Sequence, residues 1–267
     1  MNLAICGTLP RTPENGVWFR LIPPGHLSTA LSSAHSKVAL SRFSAGRLLP
    51  ATSQFAALYF ADDPMVAQFE VGAVLGSPTP GGHIPHPRLS FVSMNVHIIL
   101  QEAFDLTDVP GAQVPLSTNV QELTGDWKGY TVRNHATPVA SPTGVAPTQA
   151  LGEALFRTGI EGFRAVSARV PYNKTLTVFP DNLQPMSSLT FKDQTGAVVH
   201  RIHSSPRPLP DMKKGGPKAA LSLARSMILR LAVDRGASAA MSQADAENSR
   251  LSPKRPLGSF HLLRDLR

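Results

Sequence analysis

Leu58-Tyr59-Phe60-Ala61-Asp62-Asp63-Pro64-Met65-Val66-Ala67-Gln68-Phe69-Glu70 reads as a strand that turns into a helix. Phe55 to Ala61 is an apolar, aromatic run of the kind a buried strand carries. Asp62 or Asp63 then caps a helix with Pro64 at its first position, and Met65, Val66 and Phe69 recur at helical spacing. Glu70 falls on that helix. With Ser41-Arg42-Phe43 upstream, the region places a cation, an aromatic ring and a carboxylate on one short path. A guanidinium suits phosphate, a ring stacks on a flat heterocycle, and a carboxylate stabilises a positive centre such as a developing oxocarbenium ion. The three together suit a phosphorylated, base-bearing ribose.

Outward from this stretch, Gly16 to Ile22 suits a short first strand that stops at Pro23-Pro24, and residues 1–15, patternless with two prolines, read as a loose arm. Leu27 to Leu40, rich in Ser and Ala, is ambiguous. Gly76 to Arg88 reads as a Pro/Gly loop, Phe91 to Leu100 as a strand, and Thr118 to Leu123 as a short capped helix. After a Pro-rich connection over Pro138 to Pro147, Thr148 begins a helix whose apolar face is Leu151, Ala154, Leu155 and Ile160. Phe163 to Val170, Leu176 to Phe179, Leu189 to Lys192 and Ala197 to Ile202 read as strands, the last two joined by Gln194-Thr195-Gly196. Strands and short helices interleave without a repeating unit, which favours α+β over a doubly wound parallel sheet.

Charge divides the chain of 267 residues. Residues 1–200 hold thirteen Lys or Arg against thirteen Asp or Glu, whereas 201–267 hold thirteen against five, so the whole net charge of +8 lies in the tail. Nucleic acid is therefore expected, if at all, through the tail. Ser204 to Pro210 reads as a stiff linker, and Ala219 to Asp234 has Leu221, Ala224, Ile228 and Leu231 on one helical face; the remainder of the tail lacks the apolar content to order itself. The expected domains are an arm over 1–15, a folded unit over 16–203 and a Pro-rich basic tail over 204–267. Cys6 is the only cysteine, so neither an intrachain disulfide nor a Cys-based zinc site can form. No signal peptide or membrane span is expected, which points to a cytoplasmic protein.

Each candidate residue also has a plainer reading. Arg42 and Arg47 can bind a pyrophosphate or sit on a polar surface loop. Arg20 can touch ligand or make a structural ion pair. Tyr59 can line a nicotinamide or ribose pocket or be a core tyrosine with a tethered hydroxyl. Glu70 lies between Phe69 and Val71, where a charge needs a partner or a catalytic reason. Ser167 can be a packing residue in a strand. It has no Gly-x-Ser-x-Gly elbow around it and no histidine placed for a triad. His83-x-x-His86 lies on a loop with no nearby carboxylate, so no metal is expected. Rossmann and P-loop glycine motifs are absent.

The order of these residues resembles the RES family, toxins of bacterial toxin-antitoxin pairs named for an arginine, a glutamate and a serine. Trp18-Phe19-Arg20 resembles the family's opening aromatic-Arg step, and Arg42-Phe43 its Arg-aromatic pair. Tyr59 and Ala61 with Ala67 and Glu70 are similar to its Tyr-x-Ala and Ala-x-x-Glu block. Ser167 in Val166-Ser167-Ala168-Arg169 fits the serine position, and Leu176 to Asp181 resembles the family's ending. Many members carry Gly-Gly-Arg-Trp-Asn where this chain has Leu40-Ser41-Arg42-Phe43-Ser44. The resemblance spans roughly Gly16 to Leu183. It implies a compact, ADP-ribosyltransferase-like mixed sheet with short helices, followed by a basic, largely disordered tail. It also implies an enzyme that degrades NAD by cleaving the nicotinamide-ribose bond, with water or phosphate as acceptor. NAD is then the substrate and no other cofactor is needed. The implied roles are phosphate binding for Arg42, with Arg20 or Arg47, packing on the nicotinamide ribosyl portion for Tyr59, and oxocarbenium stabilisation for Glu70. Ser167 would position the acceptor or a phosphate, and a small Xre-type antitoxin would cover the cleft. Two alternatives stand beside this: an attenuated RES-fold protein that binds nucleic acid or an acidic partner through the basic tail, and transfer of ADP-ribose onto a macromolecule.

Overall fold

The computed structural model describes residues 1–128, 130, 144–193 and 195–204. The chain divides into two units, Met1–Pro206 and Arg207–Arg267. The second lies outside the described residues, and with it the expected linker and amphipathic helix; so does most of the Pro138 to Pro147 connection.

The first unit is α+β. Among its described residues nine strands run β1 (Arg11–Ile22), β2 (Leu58–Ala61), β3 (Val74–Gly76), β4 (His83–Pro85), β5 (Val92–Asp105), β6 (Gly162–Val166), β7 (Lys174–Val178), β8 (Ser188–Lys192) and β9 (Val198–His203). The α-helices are α1 (Pro64–Val71), α2 (Val120–Leu123) and α3 (Pro147–Arg157). Seven strands form one sheet in the order β1-β2-β7-β6-β5-β8-β9, and β1 also pairs with β5. The sheet therefore closes on itself: β1, β2, β7, β6 and β5 make a five-stranded ring, and β8 and β9 extend from β5. The β1–β2 closure is a single pair, Phe19 against Ala61, whereas β1 and β5 pair from Arg11 opposite Phe104 to Ile22 opposite Val92. Among the described residues only β5 and β6 run parallel.

β5 has to change partners. Val96 to Ile99 pair with β8 on the same side that Ala103 to Asp105 pair with β6. Backbone donors between the two partners would be left bare, and burying them is costly. Glu161, fully buried, answers this with its carboxylate: Oε2 accepts from the Gln101 and Glu102 amides at 2.6 and 2.8 Å, and Oε1 from the Gln184 amide at 2.7 Å.

Residues 1–15 are not an arm. Leu3–Thr8 form a 3-10 helix, β1 begins at Arg11, and Cys6 and Leu9 are buried in the cluster that holds Phe43, Phe55, Phe163 and Phe179. Pro13 is accommodated because the β1–β5 register shifts between Thr12 and Glu14, so the missing N–H falls at a bulge. The ambiguous segment before Arg42 resolves into 3-10 turns at Pro24–Thr29 and Ala34–Lys37. The expected loop over Gly76 to Arg88 contains half of the small β3–β4 hairpin.

The strand-to-helix reading of the 58–70 stretch corresponds to β2 and α1. Asp63 caps α1 by accepting from the Met65 amide at 2.7 Å, with Pro64 at the first position. Gly72 ends it at φ 72°, where its N–H reaches the carbonyls of Gln68 and Phe69. Val66, Ala67 and Phe69 are buried, and Glu70 stands in the last turn.

Candidate active site

Arg42, Glu70 and Ser167 meet, although 97 residues separate the last two. Arg42 occupies a tight turn in which Ser41 and Ser44 bridge each other. Phe43 is its anchor, buried and packed edge-on against Phe163 of β6 at 4.8 Å. α3 completes the fixation. The Gln149 side-chain amide donates to the carbonyls of Ser41 and Ser44 at 2.9 and 3.4 Å. One turn along, Gly152 lies so close that a Cβ there would be 1.9 Å from the Phe43 carbonyl oxygen. A glycine inside a helix normally costs stability; here it permits the contact that seats the Arg42 turn.

From that turn Arg42 donates to Glu70 Oε2 at 2.9 Å and to the Val166 carbonyl at 3.3 Å. The Ser167 hydroxyl donates to Glu70 Oε1 at 2.6 Å, and the Ala168 amide donates to the same oxygen at 3.1 Å. Ser167 also accepts from the amides of Arg169 and Val170 at 3.1 and 3.0 Å. Its one donor and both acceptor sites are thus filled within the protein. Ser167 follows β6 rather than lying in a strand, and its hydroxyl holds Glu70; the expected phosphate or ribose contact has no free hydrogen-bonding site left. A carboxylate offers about four lone-pair sites. Three on Glu70 are taken, and the remaining one belongs to Oε2.

This assembly forms part of the wall of a cavity of about 600 Å³ lined by Arg20, Arg42, Tyr59 and Glu70 from the predicted set. Tyr59 is half-buried, with its hydroxyl 2.5 Å from Ser41 Oγ. Burial pushes the phenol up to about 12, against opposing pulls from the Ser41 hydrogen bond and the charges of Arg42 and Arg20. It is therefore a neutral hydrogen-bonding group at any physiological pH. Arg20 donates to the Tyr59 carbonyl at 3.1 Å and lies 5.6 Å from the Phe60 ring centre. No carboxylate among the described residues pairs with it, and its Nε is buried with no acceptor among them. Burial, partly offset by attraction to Tyr59, lowers the guanidinium to about 10, so it remains a cation at neutral pH. An unpaired guanidinium facing a cavity is a ready anion site. Arg47 is not brought in: it is exposed on the 3-10 turn Gly46–Leu48 and does not line the cavity.

A family model described as RES domain matches residues 17–199. The chain belongs to the RES domain family. The RES domain thus begins in β1 and ends in β9. Among solved structures it is similar to one described as the M. tuberculosis MbcT–MbcA toxin–antitoxin complex, at 14% identity and a TM-score of 0.42, covering 76% of this chain and 92% of that one. Comparison with curated proteins gives no match.

Several contributors to the RES-domain cavity carry no signal in the sequence reading. Ser41 and Arg169 line it, as does the segment Thr124 to Lys128 beyond α2. Gln149 and Gly152 act on it from behind. Among these only Gly152 is detectable in principle, as a glycine inside an amphipathic helix. Among the described residues no three His, Cys, Asp or Glu side chains are gathered to hold a metal, and no helix is long and apolar enough to cross a membrane.

Proposed function

We propose that this RES domain is a toxin that consumes NAD by breaking the bond between nicotinamide and ribose. The observation that carries the proposal is the Glu70 carboxylate, fixed by Arg42, Ser167 and the Ala168 amide in a cavity wall, with one lone-pair site uncommitted. A carboxylate in the last turn of a helix faces the negative end of the helix dipole and is disfavoured there by roughly 0.3–1 kcal/mol. A residue that breaks a local rule and is then held by three partners marks a functional position.

In the reaction, the glycosidic C–N bond breaks and its electron pair returns to the nicotinamide ring nitrogen, which leaves neutral. Positive charge passes to the ribose as an oxocarbenium-like centre. Glu70 stabilises that charge and orients the ribose. Water or inorganic phosphate attacks the anomeric carbon; the proton of an attacking water passes to solvent. Arg20, unpaired by any described carboxylate, takes the pyrophosphate, and Arg169 on the rim supplements it. Arg42 acts one step behind, aiming Glu70 at the ribose. Tyr59, neutral, packs on the nicotinamide ribosyl portion. The fold in this reading is ADP-ribosyltransferase-like.

Product analysis tests the acceptor. Purified protein and NAD should yield ADP-ribose in water, and its 1-phosphate when phosphate is the acceptor; unchanged NAD with folded protein would defeat the proposal. Because such an activity drains a cell, we take the partner to be a small Xre-type antitoxin that blocks the cavity. The confinement of the +8 charge to 201–267 favours one second reading, in which the tail holds nucleic acid or an acidic partner and the site is attenuated. Salt-sensitive retention on DNA or RNA that disappears on deleting residues 204–267 would support it.

A further inference from the structure

Beside Phe19, Phe43, Tyr59 and Phe60, the cavity wall carries one more aromatic, far along the chain from them, and it is mounted to receive a heterocycle. Trp127 lines the cavity together with Thr124, Gly125, Asp126 and Lys128. Its backbone is pinned on both sides. Leu123, buried, anchors the end of α2, the Asp126 side chain accepts from the Lys128 amide at 2.9 Å, and the Trp127 carbonyl accepts from the Tyr130 amide at 3.4 Å. The Lys128 ammonium lies 5.8 Å from the centre of the indole ring. The indole itself is half-buried and makes no hydrogen bond to a described residue. The only other tryptophan, Trp18, behaves in the opposite way: it is buried, with its N–H donated to Glu14 at 3.2 Å. A large ring left half-covered on a cavity wall has area to offer a flat ligand.

We propose that Trp127 is the base-stacking wall of this cavity and takes the adenine end of the dinucleotide. The inference rests on the NAD reading above. NAD carries one heterocycle at each end of its pyrophosphate. Glu70 and Tyr59 take the nicotinamide ribose, so the second ring needs its own surface within the same cavity. The cation beside the indole adds attraction for the phosphates that precede that ring. Trp127 is then a specificity-determining residue: it distinguishes a dinucleotide from a mononucleotide and has no part in bond cleavage.

The test compares NAD with nicotinamide mononucleotide, which has the scissile bond and no adenine. One base–aromatic stack corresponds to a preference on the order of tenfold or more. In Trp127→Ala the ratio of kcat/KM for NAD to that for the mononucleotide should fall by about this factor, through KM; Trp127→Phe should keep most of it. Equal losses on both substrates, or no change in the ratio, would overturn the proposal. Binding of AMP, read as quenching of tryptophan emission, does not depend on turnover. Wild-type emission should be quenched and that of Trp127→Phe should not respond. Quenching without nicotinamide release would support the stacking wall while defeating the NAD reading; release without quenching would do the reverse.

Discussion

The Ser167 hydroxyl donates to Glu70 Oε1 at 2.6 Å, joining the loop after β6 to the last turn of α1. Because the same oxygen atom of Ser167 accepts from the amides of Arg169 and Val170, the serine fixes both the carboxylate and the loop whose Ala168 amide also reaches it. Ser167→Ala should lower kcat by one to two orders of magnitude, since a carboxylate displaced by about 1 Å costs around 10²-fold. It should also cost about 1–3 kcal/mol of stability through the amides it leaves bare. Nicotinamide release and thermal unfolding of the purified variant check both.

Gly152→Ala would stabilise an ordinary exposed helix. Here the added methyl would stand 1.9 Å from the Phe43 carbonyl oxygen, so α3 and the Arg42 turn must separate. A loss of about 1–3 kcal/mol is expected from overpacking, with an activity loss beyond what the folded fraction explains. Calorimetry alongside turnover would separate the two, and an unchanged or raised Tm would refute the account of the Arg42 turn.

The two buried-side glutamates should respond oppositely. Glu161→Leu orphans the amides of Glu102 and Gln184 and leaves the Gln101 amide only the Ser187 hydroxyl at 3.2 Å, so a loss of at least about 2 kcal/mol is expected at roughly 1 kcal/mol or more for each orphaned amide. Turnover per folded molecule should stay within a few-fold. Glu70→Gln should retain much of the fold and lose turnover. Denaturant unfolding of both variants is the check.

Tyr59 gives a pH signature. Its folded value is about 12, against about 10 in an unfolded chain. The folded state keeps the phenolic proton that the unfolded state releases. The stability this represents is present below pH 10 and is lost as the pH rises through 10 toward 12. Relative to Tyr59→Phe, the wild type should therefore lose on the order of 2 kcal/mol across that window. A gap between the two proteins that stays constant from pH 8 to 12 would contradict the burial of this phenol.

Local signals explain what the sequence reading could and could not reach. α1 was legible because Asp63, Pro64 and the buried Val66 and Phe69 all lie within one short stretch, and Glu70 stood out as a charge among apolar neighbours. α3, β5 and the β8–β9 hairpin were legible by periodicity and turn residues. Residues 1–15 carry no local signal of order because the burial of Cys6 and Leu9 depends on Phe43, Phe55 and Phe163, which are far along the chain. Ser167 was found by resemblance, but its bonding follows from the geometry of two elements meeting, which no spacing encodes. Arg47 was drawn in by chemistry alone, and the 3-10 turn at Gly46–Leu48 leaves it exposed and outside the cavity wall. Trp127 gave no cue, since a single aromatic beyond a four-residue helix belongs to no periodic pattern.

The most direct measurement is nicotinamide release from NAD by purified wild-type protein beside Glu70→Gln, with circular dichroism confirming that both are folded. The account predicts release by the wild type and a loss of at least about 10²-fold in the variant, the range expected when a charge-stabilising group at the reacting centre is removed. Equal release by the two folded proteins would contradict it.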